Sequence, residues 1–396
     1  MKLPARLRIW IAVAAWAGTA HVLAGAEVQT PSDGDPPERE ASPRPGLPAV
    51  QTVEADSEFV WASDIFMTDT RLRYARERGA TVWDASFSYA SYDIDYRPFR
   101  DFDFFGFDTH LHEDRFGLQA NLRQRVAAPL TLLLTAAAYD GYADYRNVWI
   151  ANRYRQKYNH PDFPRIEPYV EPEPKGANGS VGARWEYVPS AGFAELRLGY
   201  ARDQIAPGYE DSVDGMGNYQ LLKSREQLDV WTLSFSSENV LTRRVRLLNE
   251  FSFTSTSGRE LRFSYQGSVN VALGERWVAR VSGGATTEAP RFDAHFFGAT
   301  LEWEPVPNLL LSVTGRYYQD TGEIENSLLV SNAGPPLESW EAGVGLRYSW
   351  ARSSLKLHVG TFRTDYAPLS VATAEFFYLY QDRQWGLAQI AYSVQF

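Results

Sequence analysis

The chain has 396 residues, a formal net charge of -10 at neutral pH and no cysteine. The absence of cysteine excludes a disulfide framework, a structural thiolate site and a catalytic thiol. The acidic balance argues against nucleic acid as a partner, and we expect none.

The N-terminus has the three parts of a secretory signal peptide. A basic start precedes an apolar run over residues 9–23, and Ala24 and Ala26 form a small-x-small cleavage site. The run is shorter than the roughly 20 residues that a membrane-spanning helix requires, which argues against an anchor. We therefore predict a signal peptide over residues 1–26. Its removal takes away three positive charges, so the formal charge of the mature chain moves from -10 to -13.

Two further segments precede the regular part of the chain. Residues 27–53 are rich in proline, which lacks the backbone donor that a helix or a sheet needs, so we predict a disordered linker. Residues 54–80 combine aromatic residues such as Phe59 and Trp61 with a basic stretch. This segment is interpreted as a periplasmic amphipathic piece, a plug or an extra strand, and we favour the first two.

From residue 81 to residue 396, apolar residues recur at every second position. Phe116, Leu118 and Leu122 alternate with polar residues such as Gln119, for example, as expected for a strand with one apolar face. A soluble sandwich shows the same alternation, but here it recurs too often for one sandwich. Six short connections separate these strands, at 127–130, 188–192, 236–244, 272–275, 305–308 and 351–354.

Longer connections alternate with the short ones. They cover 98–114, 141–176, 203–222, 255–260, 286–292, 319–338 and 366–383. Six short and seven long connections separate fourteen strands, and an even number is expected for a bacterial single-chain barrel. The sequence therefore predicts an all-β fold, a transmembrane antiparallel up-and-down β-barrel over residues 81–396. The short turns are expected on the periplasmic side and the long loops outside the cell.

The last strand carries a motif. Gln389, Ala391, Val394 and Phe396 supply a polar residue, a small residue, an apolar residue and a terminal aromatic residue. The ending resembles the C-terminal assembly signal of bacterial outer-membrane β-barrel proteins, although Ala391 stands where that pattern usually has glycine. The resemblance reaches the porin- and transporter-like superfamily and no particular family. It implies the outer membrane of a Gram-negative cell, contact with outer-membrane lipid and lipopolysaccharide, and recognition by the barrel-assembly machinery through the C-terminal strand.

The predicted inward face of the barrel is strongly charged, because a charge on the lipid face would cost roughly 2–4 kcal/mol near the bilayer centre. The candidate lumen-lining residues are Arg123, Arg125, Arg184, Arg197, Arg262, Arg280, Arg316, Arg347, Glu186, Glu195 and Glu302. One hypothesis is a wet channel whose arginines attract anionic solutes. The other is a structural network in which the glutamates pair with the arginines and partly fill the lumen.

Two loops are candidates for additional roles. The aromatic and basic loop over 141–176 could constrict the pore, recognise an exterior ligand, or pack on itself as a cap. His110 and His112 share one side of an extended chain, as a metal or general-base site would, but the signal is weak and solvated loop histidines are the default. We expect a porin-like passive channel or transporter for small solutes, with no cofactor, no metal site and no catalytic residue. The alternative is a non-conducting structural or adhesion barrel that acts through its outer loops.

Overall fold

The structure of the chain is a computed structural model. It describes residues 49–95, 110–142, 144–149, 151–152, 174–204, 208–213, 219–224, 227–258, 260–290, 292–322, 335–368 and 379–396. The predicted signal peptide over 1–26 lies outside the described residues, as does most of the predicted linker.

Eighteen strands lie within the described ranges, and nearly all of the described chain is extended. They are β1 Val50–Trp61, β2 Ile65–Arg78, β3 Thr81–Asp95, β4 His110–Ala127, β5 Leu130–Asp140, β6 Lys175–Val188, β7 Gly192–Gln204, β8 Gly208–Val213, β9 Tyr219–Ser224, β10 Gln227–Thr242, β11 Val245–Thr256, β12 Leu261–Ala272, β13 Trp277–Glu288, β14 Phe292–Val306, β15 Leu309–Asp320, β16 Leu337–Trp350, β17 Ser353–Tyr366 and β18 Arg383–Gln395. No helix of the described residues is long and apolar enough to cross a membrane.

Sixteen of these strands close into one antiparallel barrel. Each strand pairs with its neighbours in the chain, except that β7 pairs with β10, while β8 and β9 form a separate two-stranded sheet in the connection between them. The barrel closes where β1 pairs with β18. At this seam the backbone of Phe396 donates to Gln51 at 2.9 Å and accepts from it at 3.2 Å.

The sequence correctly predicts the closed up-and-down barrel, but its count of fourteen strands is wrong. The two additional strands are β1 and β2, which occupy the segment over 54–80 that we favoured as a periplasmic piece or a plug. Strand β1 begins at Val50, so the predicted linker also ends earlier than expected. The physical reason is that these strands complete the hydrogen bonding of β18 and β3, which would otherwise be exposed sheet edges.

Connections of two kinds define the two ends of the barrel. Very short turns join strands at the end that also holds the start of β1 and the end of β18, and we call this the turn end. The turns lie at 79–80, 128–129, 189–191, 243–244, 273–276, 307–308 and 351–352. Gly79 and Asn308 adopt positive φ values of 60° and 70° there, which glycine and asparagine tolerate best. The opposite end, with mostly longer connections, is the loop end.

The outward face of the barrel is apolar. Outward side chains include Leu118, which is 63% exposed, and Val313, which is 60% exposed. Aromatic side chains form contacts across neighbouring strands on this face, as with Trp277 stacked on Trp303 at 5.4 Å near the turn end. Such a continuous exposed apolar surface is incompatible with a water-facing exterior and matches a hydrocarbon environment.

Candidate functional site

The interior of the barrel is the candidate site. The register places all eleven predicted lumen-lining residues on the inward phase of their strands: Arg123, Arg125, Arg184, Arg197, Arg262, Arg280, Arg316, Arg347, Glu186, Glu195 and Glu302. Because side chains alternate across a strand, their apolar neighbours point outward. The interior therefore collects most of the charge of the strands.

Five of these residues form ion pairs with one another in the turn half of the barrel. Nη2 of Arg125 lies 3.1 Å from Oε2 of Glu186, and Nε of Arg184 lies 3.0 Å from Oε2 of Glu195. Glu195 also pairs with Arg197 and is buried. This is the paired network of the second hypothesis, and it neutralises three of the predicted arginines locally.

Three more of the predicted arginines have other partners. Nη2 of Arg262 lies 2.8 Å from Oε2 of Glu288, near the loop end. Arg280 donates to an asparagine of β12 at 3.0 Å, and the guanidinium of Arg316 lies over the ring of Phe296 at 5.4 Å. None of these contacts was predicted, because the partners lie on adjacent strands whose register the sequence does not show.

The remaining three predicted residues differ from one another in their contacts. Arg123 lies opposite Val82 and Leu133 in the register and has a partner of its own. Arg347 and Glu302 form neither an ion pair nor a hydrogen bond within the part of the chain that the structure describes. The structure thus separates Arg347 from the paired arginines.

Sequence reasoning missed a second network, on β1 to β4. Nη1 of Arg73 lies 3.0 Å from Oε2 of Glu54, and its Nε lies 3.3 Å from Oδ1 of Asp84, which is buried. Asn121 donates to the same Asp84 oxygen at 2.9 Å. The signal that could have found this network is the alternation of Glu54, Asp56 and Glu58, which places three carboxylates on one side of a strand.

The described part of the 141–176 loop packs inside the loop end of the barrel. Residues 145–149 and 151–152 are helical, and their apolar side chains join a buried cluster with inward residues of the barrel wall. Tyr145 lies 5.7 Å from Trp385, which stacks on Phe362 at 5.4 Å. The other members are Val60, Ile65, Met67, Ala90, Tyr92, Ile94, Leu111, Tyr142, Val148, Trp149, Ala151, Leu379, Tyr380 and Leu387. We call this the loop-end plug.

Charged and phenolic groups anchor the plug. Arg146 pairs with Asp144 at 2.5 Å, and the neighbouring carboxylate raises the pKa of this buried guanidinium well above its ordinary value, although burial alone would lower it. Burial raises the pKa of Tyr380 to about 12 and that of Tyr145 well above its ordinary value. Arg383 donates to the backbone oxygen of Leu379 at 2.8 Å and thereby ties the last loop to β18. At neutral pH the plug therefore holds a charged Arg146 and neutral phenols.

The residues of the C-terminal motif lie on both faces of β18. Gln389 points inward and donates to the buried Glu58 of β1, and Ala391 shares its phase. Val394 and Phe396 share the outward phase, and the Phe396 ring is exposed on the outer surface. The motif is thus at the seam that closes the barrel.

His110 and His112 lie on the outward phase of β4, away from the lumen. Nδ1 of His110 lies 2.8 Å from Oδ1 of Asp95, and Nδ1 of His112 lies 2.7 Å from Oδ1 of Asp93. Each imidazole is therefore held by an aspartate of β3. Among the described residues no group of three or more histidine and acidic side chains could hold a metal ion.

The chain is similar to several solved structures. CdiB from Acinetobacter baumannii aligns with a TM-score of 0.52 and 8% identity, over 87% of this chain and 60% of that one. The Pseudomonas putida toluene transporter TodX aligns at 0.44 and 10% identity, over 88% and 90%. OccK3 from Pseudomonas aeruginosa aligns at 0.43 and 11% identity, over 88% and 95%.

Of these three, CdiB supports the fold, because the TM-scores of the other two are below 0.5. The chain spans 60% of the length of CdiB, and at 8% identity the likeness concerns the fold only. No protein-family model matches the chain, and no curated protein matches its sequence. The similar solved structures include outer-membrane β-barrel channels and receptors, and the closed barrel of this chain is seen directly in its own strand pairing.

Proposed function

We propose that the chain is an integral outer-membrane barrel that acts as a passive channel for small solutes. The observation that carries the proposal is a closed barrel of sixteen strands with a polar and ion-paired interior. Barrels of about 16 to 18 strands leave an aqueous channel, whereas eight strands leave room only for side chains or one small ligand.

The loop-end plug is the constriction of the proposed channel. Its buried loop residues pack against inward residues of β17, β18 and β1 to β4. On the wall formed by β11 and β12, inward residues such as Ser252, Ser264 and Ser268 are small and only partly buried. The proposed channel is therefore narrowed at the loop end by the plug and passes along the wall of β11 and β12.

The membrane location and the partners belong to the same proposal. The apolar outward face suits outer-membrane lipid and lipopolysaccharide, and the C-terminal motif at the seam suits the barrel-assembly machinery. No catalytic role is proposed, since His110 and His112 point outward and are each bonded to an aspartate.

Orientation is tested with trypsin added to intact cells. If the turn end faces the periplasm, trypsin cleaves between Arg153 and Lys157 and spares the turn at Arg243 and Arg244. Cleavage at the turn, with the loop spared, would reverse the proposed orientation.

Channel activity is tested by single-channel recording of the purified protein in planar bilayers. The matched variant lacks residues 142–173, which are replaced by a short glycine-serine linker. The linker can close because the backbone nitrogen of Gly141 lies 2.8 Å from the oxygen of Pro174. We expect discrete conductance steps that grow larger in the variant. If neither protein conducts although both fold into heat-modifiable barrels, the channel proposal fails.

The second candidate function is a non-conducting structural or adhesion barrel. The dense packing of the loop-end plug favours it, because the cluster buries Val148, Trp149 and Leu379 almost completely inside the loop end. The same recordings separate the two candidates, since the alternative predicts no conductance even when the loop is removed.

A further inference from the structure

His358 lies against a part of the lumen wall that is built of glycine. Gly343, Gly345 and Gly360 all share its inward phase on β16 and β17. A Cβ atom added to Gly343 would lie 2.5 Å from Nε2 of His358, and one added to Gly345 would lie 3.4 Å from its Nδ1. Glycine within a strand often marks a close approach of another group, and here the three glycines form a recess that the imidazole occupies.

Two cations lie directly beside this recess. Arg347 and Lys356 are opposite each other in the register of β16 and β17, one inward step nearer the turn end than His358. Like charges directly opposite on neighbouring strands are destabilising. Within the described part of the chain, neither cation forms an ion pair or a hydrogen bond, whereas Arg125 and Arg184 are both paired with glutamates.

Carboxylates of the neighbouring wall do not pair with these cations in the structure. Asp56 lies two strands from Lys356 along the same register row, and Glu58 lies two strands from His358. Glu302 lies three strands from His358 on the other side. With a strand spacing of about 4.8 Å, the backbones that carry these carboxylates are roughly 10 Å or more away, and none of the three carboxylates forms an ion pair with Arg347 or Lys356 among the described residues. Glu58 is also bonded to Gln389.

The three side chains are half-buried and face the lumen, so a solute in the barrel can reach them. The hydroxyl oxygen of Ser312 lies on the same recess, 2.4 Å from the position of a Cβ on Gly345. The wall therefore presents a guanidinium, an ammonium, an imidazole and a hydroxyl side by side. These groups donate hydrogen bonds to oxyanions, and the guanidinium fork matches a carboxylate or a phosphate.

We propose that Arg347, Lys356, His358 and Ser312 form an anion-binding site that takes the carboxylate or phosphate group of a small solute. The idea that a solute binds this site while it passes through the barrel rests on the proposed channel function. The binding of an oxyanion as such requires only the folded barrel.

The test is a calorimetric titration of the full-length folded barrel in detergent with inorganic phosphate, at constant ionic strength set with chloride. Arg347→Gln and Lys356→Gln should each weaken phosphate binding by about tenfold, the loss expected for one charge-assisted hydrogen bond. Lys356→Arg should retain binding. The matched control is Arg246→Gln, which removes an inward charge from the turn half that is already paired with Glu238 at 2.9 Å. The control should change the affinity by less than about twofold.

The outcomes separate the site from the channel. If Arg246→Gln weakens phosphate binding as much as Arg347→Gln does, the attraction comes from the overall positive field of the lumen and not from a site. If the wild type shows no saturable phosphate binding, the proposed site is refuted. A barrel that conducts yet binds no phosphate refutes only the anion site. A barrel that binds phosphate through Arg347 and Lys356 yet never conducts supports the site and refutes the channel.

Discussion

At the scale of single residues, the direction of each side chain decides its role. Neighbours such as Val281 and Ser282 on β13 have opposite environments, because the first is exposed on the outer face and the second lies opposite Ser268 inside. This alternation could be predicted from the sequence. The partners of each inward residue could not, since Arg125 and Glu186 are 61 positions apart and meet only through the register of β4, β5 and β6.

The alternation gives a matched pair of substitutions. Val281→Arg should destabilise the barrel by roughly 2–4 kcal/mol, the cost of an arginine near the bilayer centre. Ser282→Arg should cost less than about 1 kcal/mol, because the side chain enters the lumen between small residues. Denaturant unfolding in lipid vesicles measures both. Equal costs would show that the phase of β13 or the membrane environment is misassigned.

The missed network on β1 to β4 makes a second prediction at this scale. Arg73→Met leaves Glu54 and the buried Asp84 without their cation, and should destabilise the barrel by about 3 kcal/mol. Adding Asp84→Asn should restore part of the loss, because a neutral amide needs no counter-charge. A double-mutant cycle in vesicles measures the coupling. Additive effects of the two substitutions would show that the ion pair contributes nothing.

At the scale of elements, the loop-end plug explains why β1 and β2 were misjudged. Their inward residues near the loop end are apolar, as with Val60 and Met67, because the plug packs against them. Their outward residues include polar side chains such as Thr68 and Thr70. The usual contrast between a polar inward face and an apolar outward face is therefore reversed or lost near the loop end. A search for strands with polar inward residues does not recognise β1 and β2.

The plug should also respond to high pH. Burial raises the pKa of Tyr380 to about 12 from an ordinary value of 10.0, so the docked state favours the neutral phenol. Its stabilisation is complete below the ordinary pKa and is lost as the pH rises through the raised one, which places undocking at a pH of about 10 to 12. Tyrosinate absorbance should show late-ionising phenols, and Tyr380→Phe should remove one of them. A titration with one uniform transition near pH 10, unchanged by the substitution, would contradict the docked geometry.

At the scale of the whole molecule, barrel closure depends on pairing at the two ends of the strand order. Strand β1 joins β18 to β2, so every inner strand edge of the barrel is satisfied. Strand number and barrel width are linked, so sixteen strands enclose a wider interior than the predicted fourteen, and the plug occupies that interior at the loop end. The C-terminal residue Phe396, the clearest signal in the sequence, acts at this seam through its backbone bonds to Gln51.

Deletion of residues 50–80 distinguishes a sixteen-stranded barrel from a fourteen-stranded barrel with a separate N-terminal segment. In the structure the deletion removes β1 and β2 and exposes the edges of β18 and β3, which do not pair with each other. We therefore expect little or no heat-modifiable barrel in the outer membrane. Deletion of residues 27–48 is the matched control and should leave assembly intact, because β1 begins only at Val50. A 50–80 deletion that assembles at normal abundance would mean that fourteen strands suffice to close the barrel, and would remove β1 and β2 from its wall.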